Sequence, residues 1–205
     1  LLPILWRDTA DLGLREVERI NRRREPDDPV ATPLYELDDV ERALKLVRAL
    51  RYDTKYEPLP GVSLILRDAG HILGSSSVLL ECSDEGVQRT IVFSGDLGQY
   101  DSPILLDPYP FEQADLVIME STYGDRLHRD REATLAEFGE IIAAADASRG
   151  NLIIPAFAIG RSQEVLYLLG LHYDAWQLCD WQVFLDSPMA IEASEVYWKH
   201  VDRYD

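Results

Sequence analysis

The chain has 205 residues, 46% of them hydrophobic, and a formal charge of −17 from 37 acidic against 20 basic side chains. That length allows one large domain or parts of two, and the acidity excludes a generally basic nucleic-acid-binding surface, though not a local groove dominated by metal ions. Cys82 and Cys179 form neither a disulfide framework nor a CxxC metal pair, which fits a reducing, cytoplasmic setting, and with no apolar run near 18 residues no transmembrane helix is expected.

The first helix is expected over 8–24, capped by Asp8 or Thr9, with Leu12, Val17 and Ile20 near helical spacing and Arg22-Arg23-Arg24 at its negative end. The arginine triplet reads as a solvated helix end or as a contact for a nucleic-acid backbone. Pro26 to Pro29 breaks the chain. A second helix is expected over 37–50, with Val40, Ala43, Leu44, Val47 and Leu50 on one face. Residues 51–60 read as a linker.

Strands follow. Val62–Leu66 leads into Asp68-Ala69-Gly70-His71-Ile72-Leu73-Gly74-Ser75. Ser77–Cys82 and Arg89–Ser94 flank the polar stretch 83–87, an antiparallel hairpin pattern, and the second ends in Ser94-Gly95-Asp96-Leu97-Gly98. This order delivers His71 and Asp96 to one sheet edge, where a histidine and an aspartate suit a hydrolytic metal site. Taken singly, each also reads as a turn residue. Asp68 either orients His71 or caps its loop. Leu116–Met119 is a further strand, and Glu120 ends it before Ser121-Thr122-Tyr123-Gly124.

Beyond Gly124 the pattern alternates. A helix is expected over 131–147, a strand at Leu152–Ile154, and a loop and helix over 160–170. A strand at Val183–Leu185 and a helix opened by Ser187-Pro188 follow. Strands alternating with helices imply a small parallel sheet. Arg161 at a helix start reads either as a phosphate anchor or as a brace for its own loop through Glu164. His128 reads as a surface histidine.

Four motifs stand in order: GHILGS, SGDLG, ESTYG and PAFAIGRSQE. With them the chain resembles, over roughly residues 30 to 200, the β-CASP branch of the metallo-β-lactamase superfamily, which includes RNase J-like enzymes and the nuclease subunit of the pre-mRNA cleavage and polyadenylation machinery. The resemblance implies an α/β chain, part of a metallo-β-lactamase αββα sandwich over 1–124 and part of an inserted β-CASP α/β domain over 125–205. It implies that His71 is a terminal ligand of one metal, that Asp96 bridges two, and that Glu120 is a catalytic carboxylate hydrogen-bonded to a histidine supplied later in the chain. Two Zn2+ ions, a metal-bridging hydroxide and single-stranded RNA as substrate follow from the same resemblance, with a homodimer left open. Rival readings are a scaffold that has lost its chemistry, a DNA-directed nuclease and a small-molecule metallohydrolase.

The chain departs from that pattern in histidine. Only His71, His128, His172 and His200 are present, and no HxHxDH motif precedes GHILGS. The family's two later histidines are also missing. The expectation is therefore an internal fragment, inactive by itself, with an apolar face left uncovered.

Overall fold

The structure is a computed structural model and describes residues 1–201, with only the backbone of Asp84. It is a mixed α/β chain. Two helices come first: α1 (Leu2–Arg22) and α2 (Leu37–Leu44). Five strands follow: β1 (Lys55–Leu59), β2 (Val62–Asp68), β3 (Ser76–Asp84), β4 (Val87–Phe93) and β5 (Leu116–Ile118). Helices α3 (Arg131–Ala147), α4 (Arg161–Leu171) and α5 (Pro188–Trp198) complete the described chain. No helix among the described residues is long and apolar enough to cross a membrane.

Both N-terminal helices differ from expectation. α1 starts at Leu2 rather than Asp8, because Pro3 sits in the first turn, where its missing N–H costs nothing. α2 stops at Leu44 rather than Leu50. The residues meant to extend its apolar face find nothing to pack on: Leu46 is 82% exposed. What α2 does bury is Val40, and α1 buries Ala10; the two helices are joined by Arg7 Nε donating to Glu41 at 2.7 Å.

The sheet runs β1-β2-β3-β4-β5. The expected linker at 51–60 is a correction, since Lys55–Leu59 pairs antiparallel with β2. Its composition hides it, yet an edge strand tolerates Pro58, and the register shifts between Tyr56 and Leu59. The β3–β4 hairpin forms as expected, over a two-residue turn. Glu85 and Gly86 have φ of +47° and +81°, the pair of positive values a type I′ turn needs.

β2 and β4 each run antiparallel to β3, and β5 runs parallel to β4. The carboxyl ends of β2, β4 and β5 therefore share one edge of the sheet. This topology places the chain segments bearing His71, Asp96 and Glu120 side by side.

Asp115 starts β5 by clasping β4. Its Oδ2 accepts from the Thr90 N–H at 2.7 Å and the Thr90 hydroxyl at 3.0 Å, with Arg89 3.3 Å away. The Thr90 bonds, chiefly the backbone N–H, hold the Asp115 carboxyl below its ordinary range. A depressed carboxylate stabilises the fold above the unfolded-state pKa and loses that contribution as pH falls through the folded one. The protection factors of the β5 amides, corrected for the intrinsic rate at each pH, should therefore fall on acidification below about pH 4, and Asp115→Ala should show the lower protection already at pH 7. Equal exchange in variant and wild type at pH 7 would refute the clasp.

The expected parallel sheet beyond β5 does not form among the described residues. Residues 152–154 and 183–185 pair with no strand, although their apolar composition suits one. Ile153 is 85% and Phe184 81% exposed. β5 is exposed along its length as well. The total accessible surface is 15,375 Å2, against about 9,700 Å2 for a compact monomer of 23.3 kDa. A strand is defined by its partner, and these apolar segments have none here. The resemblance implies two sheets in a sandwich, and one is present among the described residues.

Candidate functional site

Two glycine-bearing loops meet at the shared sheet edge. Asp68 ends β2 and turns the chain by accepting the Gly70 N–H on Oδ1 at 2.9 Å. Asp68 thus caps the loop, one of its two expected roles. Ser75 closes the same loop, its Oγ accepting from the His71 and Ile72 N–H groups at 3.1 and 3.3 Å. At the end of β4, the Ser94 N–H donates to Ile118 O at 2.9 Å, and Ser94 O accepts from the Ser77 hydroxyl at 2.6 Å. The two loops are then locked backbone to backbone: Gly98 N–H donates to Ala69 O at 2.8 Å. A Cβ on Gly98 would stand 1.7 Å from Gly70 O. Only a glycine admits this approach.

The lock presents His71 and Asp96 to each other. His71 Nε2 lies 3.9 Å from Asp96 Oδ2, with the side chains 45% and 76% exposed. Neither side chain makes a hydrogen bond to another group among the described residues. Zinc takes imidazole nitrogen and carboxylate oxygen at about 2.0–2.2 Å. Around a tetrahedral zinc two such donors stand about 3.4 Å apart, so the 3.9 Å pair would close by about half an ångström onto an ion. The donor types fit a zinc, as two ligands of a site that needs at least three from protein. No group of three or more His, Cys, Asp or Glu residues is arranged to hold a metal among the described residues.

Glu120 follows β5 and grips the aspartate loop. Its Oε1 accepts the Leu97 N–H at 2.6 Å, and its own N–H donates to Ser94 Oγ at 3.1 Å. The Leu97 bond does most to lower the Glu120 pKa; burial opposes it, and Thr122 and the charge of His71 lower it further. At neutral pH Glu120 is an anion beside His71. The structure thus gathers His71, Asp96 and Glu120 at one edge.

Arg161 is placed differently. It opens α4, and its Nη1 donates to Glu164 at 2.7 Å. Glu164 also faces Arg131 of α3 at 3.6 Å. The brace is thus the geometry present, and the Arg161 side chain is 59% exposed. The loop before α4 nonetheless reaches the site, since a Cβ on Gly160 would meet Ile72 Cγ2 at 3.4 Å.

Two residues of the site's surroundings escaped the sequence reading. Gln163 is 5% exposed. Its Nε2 donates to Ser194 Oγ at 2.9 Å and Ala158 O at 3.0 Å, and its Oε1 accepts the Gly160 N–H at 2.7 Å. Tyr197 is 2% exposed and packs with Ile104, Leu105, Leu73 and Ile159. Its hydroxyl oxygen accepts the Leu73 N–H at 3.2 Å. The available signal was position: each is a polar group one helical turn or less from apolar residues of its own helix.

A profile of the Beta-Casp domain matches residues 162–205. A ribonuclease of Thermus thermophilus is 41% identical over 165 residues, which cover 80% of this chain and 37% of that protein. An RNase J-like protein of Methanocaldococcus jannaschii is 29% identical over 205 residues, 98% of this chain and 43% of that one. Subunit 3 of the cleavage and polyadenylation specificity factor of Dictyostelium discoideum is 30% identical over 171 residues, 82% of this chain and 21% of the subunit. The chain spans less than half the length of each of these relatives.

Proposed function

The chain belongs to the β-CASP family of the metallo-β-lactamase superfamily, and from that membership we propose that it is part of a zinc-dependent phosphodiester hydrolase that cleaves RNA. The observation that carries the reading is the His71–Asp96 pair, 3.9 Å apart, on loops locked together at Gly98 and Gly70. The names of the relatives, a ribonuclease and an RNase J-like protein, support RNA as the substrate. Residues 1–124 would form part of the metallo-β-lactamase domain and 125–205 part of the β-CASP domain.

In this proposal His71 and Asp96 are the residues of this chain that would hold the zinc. When bound, zinc polarises a phosphoryl oxygen and makes a water nucleophilic at neutral pH. Glu120 keeps the Asp96 loop in place through the Leu97 N–H. Its ionised carboxylate is also in the form that orients an imidazole or accepts a proton. A phosphate contact from Arg161 would use guanidinium donors that Glu164 leaves free. The net charge of −17 repels RNA at long range, so binding must rest on the metal ions and a few local cations. The two ligands of this chain do not complete a site, and we propose that the chain alone is inactive.

The test uses the full-length protein, wild type beside Asp96→Ala. Zinc per chain is measured by mass spectrometry, and cleavage of a labelled single-stranded RNA is followed in the same samples. About two zincs and RNA cleavage in wild type, with zinc reduced and cleavage at least 100-fold slower in the variant, is the expected result. Zinc without RNA cleavage would redirect the reading to DNA or a small molecule. Wild type without metal under zinc-replete conditions would leave a scaffold.

A further inference from the structure

We infer that Tyr197 is a positioning residue for the metal-ligand loop, fixing His71 from the α5 side. The inference rests on the proposed role of His71 as a ligand. Loop 69–75 is held on its sheet side by Gly98 N–H on Ala69 O and by Ser75. Those bonds leave the turn's middle, Leu73, to another partner. That partner is the Tyr197 hydroxyl oxygen, 3.2 Å from the Leu73 nitrogen, on a side chain only 2% exposed. The tyrosine is itself well fixed. Its ring sits among Ile104, Leu105 and Leu73, and α5 is tied to α4 through Gln163 and Ser194 at 2.9 Å. Ile72 lies near Gly160, where α4 begins. Leu73, two residues after His71, is thus held by α5, with Ile72 close to the start of α4, while the residue two before His71 is held by the aspartate loop. The ligand is pinned from both sides, and the second pin comes from residues beyond 124.

Supporting residues of this kind orient a ligand without touching the ion, and their loss weakens metal binding about 10–100-fold. Tyr197→Phe removes the acceptor and keeps the ring in its cluster. Two measurements on the full-length protein decide the matter. Hydrogen exchange of residues 70–75 is compared in metal-free wild type and variant, and zinc affinity is measured by chelator competition. The expected result is at least tenfold faster exchange at Leu73, with β3 and α5 unchanged, and zinc held about 10–100-fold more weakly. At saturating zinc, kcat for RNA should fall while KM stays. A folded variant with wild-type exchange at Leu73, or with zinc affinity within twofold of wild type, overturns the inference. Wild type that binds no zinc overturns the metal reading instead, and is distinguished because the loop exchange is read without metal.

Discussion

Replacing Gly98 by alanine is expected to cost roughly 3–5 kcal/mol of folding stability and to part the loops that carry His71 and Asp96. The cause is contact rather than backbone strain. The added methyl would lie 1.7 Å from Gly70 O, 2.2 Å from Gly70 C and 2.9 Å from His71 N. All three are backbone atoms, and no rotamer moves them aside. Relief requires the loops to separate by more than an ångström, which breaks the Gly98 N–H bond to Ala69 O. Gly70 cannot retreat, since its own Cα side abuts Leu106 O and Pro108. Two other glycines serve as controls. Gly13 lies inside α1 with nothing within 4 Å, so alanine there should gain about 0.5–1 kcal/mol. Gly74 also faces open space but has φ +87°, so alanine should lose about 1 kcal/mol through the backbone alone. Urea unfolding of the three variants measures the order. Gly98→Ala within about 1 kcal/mol of wild type would refute the lock. Zinc content of the same proteins would show whether the proposed metal binding depends on the lock.

The sequence discloses the edge where His71, Asp96 and Glu120 meet well and its supports poorly, for a physical reason. His71, Asp96 and Glu120 each end a strand-like run beside a glycine or turn motif, so their place at a sheet edge follows from local pattern plus strand direction. The β3–β4 hairpin and α3, found over Arg131–Ala147 as expected, are also local. β1 is not, because Lys-Tyr-Glu-Pro-Leu carries no strand signal and is made a strand by its neighbour β2. The converse failure is 152–154 and 183–185, which have the composition of strands and no partner among the described residues. Pairing is a property of two segments, and composition reports on one. Gln163 and Tyr197 fail to show for a related reason. A glutamine two residues after Arg161 reads as a solvent-facing side chain until Ser194, 31 positions later, is brought within 2.9 Å.

Gln163→Leu is expected to cost about 3 kcal/mol, because it leaves buried polar groups without partners while filling the same volume. The wild-type amide donates to Ser194 Oγ and Ala158 O and receives the Gly160 N–H at 2.7 Å. Leucine returns none of these bonds, and water has little access at 5% exposure. The Gly160 N–H and Ala158 O then each carry a desolvation cost of about 1–3 kcal/mol. Gln163→Glu separates polarity from mere size. A carboxylate accepts the Gly160 N–H but faces Ala158 O as a second acceptor, so the charged form is disfavoured and its folded pKa is raised. The folded protein then binds more protons than the unfolded chain, and stability must fall as pH rises. Between pH 5 and pH 8 the glutamate variant should therefore lose stability that wild type keeps, whereas the leucine variant should show the same deficit at both. Urea unfolding at the two pH values makes the comparison. A glutamate variant as stable as wild type at pH 8 would mean that the amide network is not what joins α4 to α5. The joint matters for the site because α5 also carries Tyr197. Loosening Gln163 should then loosen the Leu73 amide across the His71 loop, and wild-type protection at that amide in a folded Gln163→Leu protein would show that α5 holds the loop independently of α4.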